Sequence, residues 1–371
     1  MRKVRLLDVC DVYQPQTIAK KLFIPYGKYR VFGANGEIGR YNQYNHEESE
    51  ILMACRGASC GAINVSKPYS WINGNAMVIH PNGKVQLDKD YLKYYLMSIS
   101  KDGIISGTAQ PQITRHNLKD FPIAICDINI QKQIVQRIEE SLSQLDSAVA
   151  TLNTTKKQLK IYRQAVLKEA VANFKEFTTI RKAASLVTSG SRGWAKYYSA
   201  SGAAFIRIGN LNRYDISISL DDLQYVELPD HAEGVRSRLE PSDVLISITA
   251  DLGSIGFVPY NIGEGYINQH IALVRFKNKK QSRFLAWYLR SDIGQKELLK
   301  NKRGAGKLGL GLDDIRDSLI PVVDDTTAIE VVSNIEEKLV LCSNVEETIN
   351  QSLQQAEALR QSILKQAFEE K

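Results

Sequence analysis

The sequence predicts an α+β protein in which two globular domains alternate with two long helices that pair as an antiparallel coiled coil, giving the chain pseudo-twofold symmetry. Three observations carry this. Residues 131–172 read as one long amphipathic helix that returns at an offset of 197. From Ile134/Val331 to Val171/Phe368, thirteen of thirty-eight positions are identical without a gap, enough to treat the two stretches as copies of one element. Within the first copy, positions 138, 142, 145, 149, 152, 156, 159, 163, 166 and 170 alternate in steps of four and three, and all but Lys156 and Arg163 are apolar. That spacing belongs to a coiled-coil seam rather than to a core-facing stripe. The remaining sequence is built of short alternating segments broken by Gly and Asn, the pattern of strands.

Taken in order, residues 1–128 form a first domain, with strands at Val4–Val9, Tyr29–Phe32, Ile51–Cys55 and Ala76–His80 and a helix over Asp90–Ser100. The central helix, residues 129–175, follows. A helix of roughly 40 residues is about 60 Å long and cannot bury its seam against a small domain alone, so it needs a partner of equal length. Residues 176–325 form a second domain, with strands at Phe205–Ile208, Asp243–Ile248, Ile271–Phe276 and Leu319–Val323, a helical stretch Ser282–Lys300 and a basic glycine-rich loop Lys300–Gly311. Residues 326–371 supply the partner helix. The two domains are also related: Gly57-Ala58-Ser59-Cys60-Gly61 matches Gly253-Ser254-Ile255-Gly256, and Trp71-Ile72-Asn73 matches Tyr266-Ile267-Asn268, whereas residues 10–50 and 186–240 show no match. The chain therefore reads as two copies of a scaffold carrying different loops.

The seam is expected at Ile138, Leu142, Leu145, Val149, Leu152, Lys156 and Leu159 in the first helix, and at Ile335, Leu339, Cys342, Glu346, Ile349 and Leu353 in the second. A parallel in-register pair would set Lys156 against Leu353 and Glu346 against Val149. Antiparallel packing about a centre near Leu152/Ile349 brings Lys156 and Glu346 within about one turn, so the charges predict antiparallel helices.

Composition bounds the function. At 371 residues, 43% hydrophobic and 24% charged, the chain has room for two or three folded domains. No apolar run approaches the ~18 residues that span a bilayer, and Met1-Arg2-Lys3 runs into alternating sequence without a signal-peptide core, so a cytoplasmic location is expected. Five cysteines without a C-x-x-C pair and five scattered histidines indicate neither a disulfide framework nor a metal site. Gly304-x-Gly306-x-x-Gly309 matches the dinucleotide fingerprint by letter but follows a helical stretch instead of a strand, so the phosphate-binding geometry is missing. There is no Asn-Pro-Pro-aromatic motif for amino-methylation and no helicase-like phosphate loop, and Pro229-Asp230 lacks the Glu-x-Lys a nuclease needs. A catalytic role is not expected.

The alternation of two variable domains with two similar helices, the shared helix ends Arg163-Gln164-x-Val166-Leu167-Lys168 and Arg360-Gln361-x-Ile363-Leu364-Lys365, and the stretches VTSGSRGWAKYY, GAAFIRIGNL and GTAQPQITRHNLKDFPI together resemble the specificity subunit of type I restriction-modification enzymes. The resemblance covers essentially the whole chain. It implies a non-catalytic subunit in which each variable domain is a target-recognition domain reading one half of a bipartite double-stranded DNA sequence. The coiled coil then separates the domains and docks two methyltransferase subunits, which bind S-adenosylmethionine. A motor-nuclease subunit using ATP and Mg joins for restriction, and no cofactor is expected in this chain.

Reading bases requires donor and acceptor side chains on loops, ringed by Lys and Arg that hold phosphates. Candidates in the first domain are Arg40, Tyr41, Gln43, Arg56, Gln110, Gln112 and Arg115. Those in the second are Ser189, Ser191, Arg192, Lys196, Arg207, Asn210 and Arg213, with Lys300, Lys302, Arg303 and Lys307 in the glycine-rich loop suited to phosphates. The competing reading is a coiled-coil adaptor whose two domains bind proteins or glycans. It predicts no salt-dependent affinity for DNA.

Overall fold

A computed structural model of the chain describes residues 1–107, 110–228, 236–300, 302 and 309–369. Contacts divide it into two units, Met1–Asn153 with Asn350–Lys371, and Thr154–Ile349. The division runs through both long helices, at Asn153 and at Asn350, its counterpart at the 197 offset.

The first unit begins with β1 (Arg2–Arg5), a single turn α1 (Leu6–Val9) and β2 (Cys10–Tyr13), followed by β3 (Tyr29–Gly33), β4 (Gly36–Tyr41), β5 (Ile51–Ala54), β6 (Ile63–Val65), β7 (Ser70–Ile72) and β8 (Ala76–Pro81). Helix α2 (Lys89–Ser98) and β9 (Pro122–Ile125) lead into α3 (Ile128–Val171). An antiparallel sheet β2-β8-β5-β6 packs Ile51, Met53, Met77 and Ile79 against Leu92 and Leu96 of α2. Its other face, Leu52 and Val78, meets Phe32 and Ile72 of an outer sheet β4-β3-β7, in which β3 runs antiparallel to β4 and parallel to β7. The expected strand Val4–Val9 breaks at Leu6, whose N–H bonds the Phe121 carbonyl. One helical turn brings Leu6 and Val9 to the same buried side, where extended backbone would send them to opposite faces.

The second unit repeats this plan. β10 (Phe177–Thr179), the turn α4 (Ile180–Ala183), β11 (Ala184–Ser189), β12 (Tyr198–Ser199), β13 (Ala203–Ile206) and β14 (Gln224–Val226) come first. β15 (Val244–Ser247), β16 (Ile255–Phe257), β17 (Gly265–Ile267), β18 (Ile271–Phe276), α5 (Ser282–Arg290), α6 (Asp292–Leu299), α7 (Leu312–Arg316), β19 (Leu319–Pro321) and α8 (Asp325–Glu369) follow. Sheet β11-β18-β15-β16 answers β2-β8-β5-β6, and β14-β13-β17, widened by β12, answers β4-β3-β7 with the same parallel pair. The helical stretch expected over Ser282–Lys300 is two helices. Ser291 is extended and its Oγ accepts the Gly294 N–H at 3.2 Å, while Gly294 lies so close to the Tyr288 carbonyl that a Cβ would collide with it.

Both long helices form, and they are antiparallel within each unit. In the first, Ile138 and Leu142 of α3 pack with Leu364 of α8 and Tyr94 of α2; in the second, Leu167 and Val171 pack with Ile335 and Leu339. Every expected seam position is buried or half-buried. Burying side chains such as Ile138 and Leu364 stabilises by about 1.5–3 kcal/mol each. Glu346 pairs with Arg163 at 3.1 Å, two turns along α3 from Lys156. The long guanidinium also reaches Ser343 Oγ at 3.2 Å.

A buried ion pair ties the second core together. The Arg275 guanidinium donates two 2.8 Å hydrogen bonds to Asp243, which is fully buried and also accepts the Glu240 N–H. Replacing Asp243 with alanine removes two of the guanidinium's bonds and leaves the Glu240 N–H without its acceptor, and is expected to cost about 1–3 kcal/mol, read by denaturant unfolding. A loss below about 1 kcal/mol would show that Arg275 escapes to Glu240, its other partner at 2.6 Å.

Candidate nucleic-acid interface

Two loops of the first unit form a ledge at the end of the sheet β2-β8-β5-β6. The loop after β5 and the segment after α2 meet through an isolated antiparallel bridge between Arg56 and Gln112, reinforced by Gly57 N–H to Pro111 O at 3.0 Å and Ile113 N–H to Cys55 O at 3.1 Å. Gly57 takes φ +80°, a conformation that favours glycine, which lets the loop fold back here. Arg56, Gln110 and Arg115 are exposed on this ledge and Gln112 is half-buried. The structure thus brings together four of the seven candidates of this domain.

Arg40, Tyr41 and Gln43 lie instead on and just after β4, in the outer sheet. Gln43 is exposed. The half-buried Tyr41 ring stands edge-on to Trp71 at 5.5 Å and 88° and packs beside Ile18 and Val31. Arg40 sits directly across from Arg30, a residue the sequence did not single out.

The ledge recurs in the second unit, where Thr249 bridges Gly309. Earlier in the chain Lys300 is exposed and bonded to Glu297 at 2.5 Å, and Lys302 is exposed. Arg303 and Lys307 lie outside the described residues. The stretch from Ser189 to Lys196 is anchored at both ends. Ser189 closes β11 opposite Ala272, and Gly190 presses on the Ile267–Asn268 backbone with no room for a Cβ. Trp194 is buried, stacked on Phe205 at 5.0 Å and 14°. Between these anchors Ser191 Oγ accepts from Arg236 at 3.4 Å, and Arg192 is exposed, as is Lys196, whose ammonium lies 4.8 Å from the Tyr197 ring centre.

Further along, Arg207 reaches Asp222 at 3.5 Å. Arg213 pairs with Asp251, whose hydrogen bond raises the guanidinium pKa above its ordinary value. Asn210 is a correction to the sequence reading. It is buried, its Oδ1 accepts the Arg207 N–H at 2.9 Å, and its amide donates to the Ser219 and Asp222 carbonyls, so it shapes the loop from inside. Arg30, Arg236 and Arg238 are exposed basic residues near these candidates that went unnoticed; the only signal available was charge inside strand-like or loop sequence.

The sequence matches the family model described as the type I restriction modification DNA specificity domain over residues 1–161 and again over 174–355. It is 23% identical over 304 residues to the specificity subunit of the type I restriction enzyme EcoBI of Escherichia coli, covering 74% of this chain and 63% of that protein. It is 26% identical over 332 residues to the StySPI specificity subunit of Salmonella potsdam, covering 84% and 68%. The chain thus spans less than two thirds of the length of the E. coli relative. Among solved structures, a chain from work on complex assembly and conformational transition of the type I R-M system superposes with a TM-score of 0.73 at 15% identity, covering 99% of this chain and 97% of that one. The HsdS subunit from Thermoanaerobacter tengcongensis gives 0.53 at 15%, covering 99% and 96%. At such identities the likeness shows the fold.

Proposed function

The chain belongs to the type I restriction-modification DNA specificity family, and on that premise we propose that it is a non-catalytic subunit reading a bipartite duplex target, one half-site per domain. Residues 1–128 and 176–325 are the readers, entering the major groove through their loops, and residues 129–175 and 326–371 are the spacers. Two methyltransferase subunits dock on the spacers and methylate an adenine flipped out of the duplex, with S-adenosylmethionine as donor; motor-nuclease subunits join for restriction. The cytoplasm is the expected place of action. Among the described residues no helix is long and apolar enough to cross a membrane.

One observation carries the reading. The two units repeat strand for strand in both main sheets, β12 aside, while residues 10–50 and 186–240 diverge in sequence. A scaffold kept twice with unlike loops suits two sites of different sequence. The test is to co-express the chain with its methyltransferase partner and map methylated adenines across a genome. Two constant blocks separated by a fixed stretch of arbitrary sequence are expected. A single continuous motif, or methylation without sequence preference, would refute the bipartite reading.

A further inference from the structure

Residues 18–41 fold as a 3-10 turn (Lys20–Leu22) and the β3–β4 hairpin, and they carry five basic side chains, Lys20, Lys21, Lys28, Arg30 and Arg40, against one acid, Glu37. Of the acids that follow, Glu50 is buried against His80 and Lys89, and Glu47 lies beside Tyr44. On the hairpin, Arg30 and Arg40 are direct cross-strand partners. Like charges placed opposite one another across a ladder are destabilising. A single carboxylate stands between them, Glu37 bonding Arg30 and lying 3.8 Å from Arg40. All three side chains are about one third to one half exposed, and surface ion pairs of that kind add little to stability.

The backbone beneath them is well supported. The neighbouring cross-strand pair is Tyr29 with Tyr41. Tyr41 rests on Trp71, and Tyr29 meets Tyr44 edge-on at 5.0 Å, which in turn meets Tyr69 at 5.4 Å. Two guanidinia on a supported hairpin, facing the same oxygen-bearing group, suit a tetrahedral anion whose oxygens accept from both.

We propose that Arg30 and Arg40 form a phosphate seat for the DNA backbone of one half-site, and that Glu37 fills this seat in the free protein and gives it up to DNA. The inference rests on the DNA-binding reading above and adds a contact that fixes register without reading sequence.

The experiment uses the full chain and a labelled mixed-sequence duplex of roughly 40 base pairs, with affinity measured across a salt series. The double variant Arg30→Gln/Arg40→Gln is expected to flatten the slope of log K against log salt by about one to two. Glu37→Gln is expected to bind about 2–5-fold more tightly, a gain that misfolding cannot imitate. Parental slope and affinity in both variants, or weaker binding by Glu37→Gln, would overturn the seat. If the parental chain itself shows no salt-dependent affinity, the DNA-binding reading falls with it.

Discussion

Exchanging residues 1–128 for the corresponding domain of another family member is expected to change one half of the recognised sequence completely and to leave the other half untouched. The first domain builds its own core from Leu6, Ile51, Met53, Ile79 and Leu92, and meets the long helices through Tyr94, which packs on Ile138, Leu142 and Leu364. A donor domain with aromatic side chains at the places of Tyr94 and of Tyr91 and Tyr95, which meet Phe368, keeps that joint. The readout is the methylated motif of the chimera with the parental methyltransferase. Changes in both halves together would show that the two domains read as one, and the modular account would be lost.

Adding one heptad to each long helix, after Leu152 and after Ile349, is expected to lengthen the preferred spacer between the half-sites by about three base pairs. These points lie at or within a residue of the place where the chain divides into its two units, inside helices that run unbroken through it. Seven residues preserve the seam and add ~10 Å. At ~10.5 base pairs per turn the far half-site also rotates by roughly 100°, so methylation should fall as the DNA twists or bends to follow. A library with fixed half-sites and variable spacer length measures both effects. Full activity at the parental spacer would show that the helices do not set the distance.

Elements fixed by periodicity were legible in the sequence. The 4,3 alternation located the seam, and the 197 offset located two equivalent units, because both depend only on spacing. Seam spacing alone did not show that Arg163, too, would reach Glu346, at 3.1 Å. Burial of loop residues was equally hidden: Asn210 and Arg192 look alike in composition, yet one is an internal brace and the other is exposed. Arg30 escaped because its significance lies across the ladder, in a partner ten residues away.

The first unit is closed by chain that arrives late. Phe368, near the end of α8, sets its ring edge against Tyr91 and Tyr95 at 5.3 and 5.2 Å, and Leu364 completes the cluster around Tyr94. During synthesis at ~5–20 residues per second, about 240 residues must leave the ribosome after the first domain before those side chains exist, a wait of roughly 10–50 seconds. The second unit is one continuous stretch, Thr154–Ile349, and can finish while the first still shows its tyrosines to water. Order of emergence is thus reversed in order of completion.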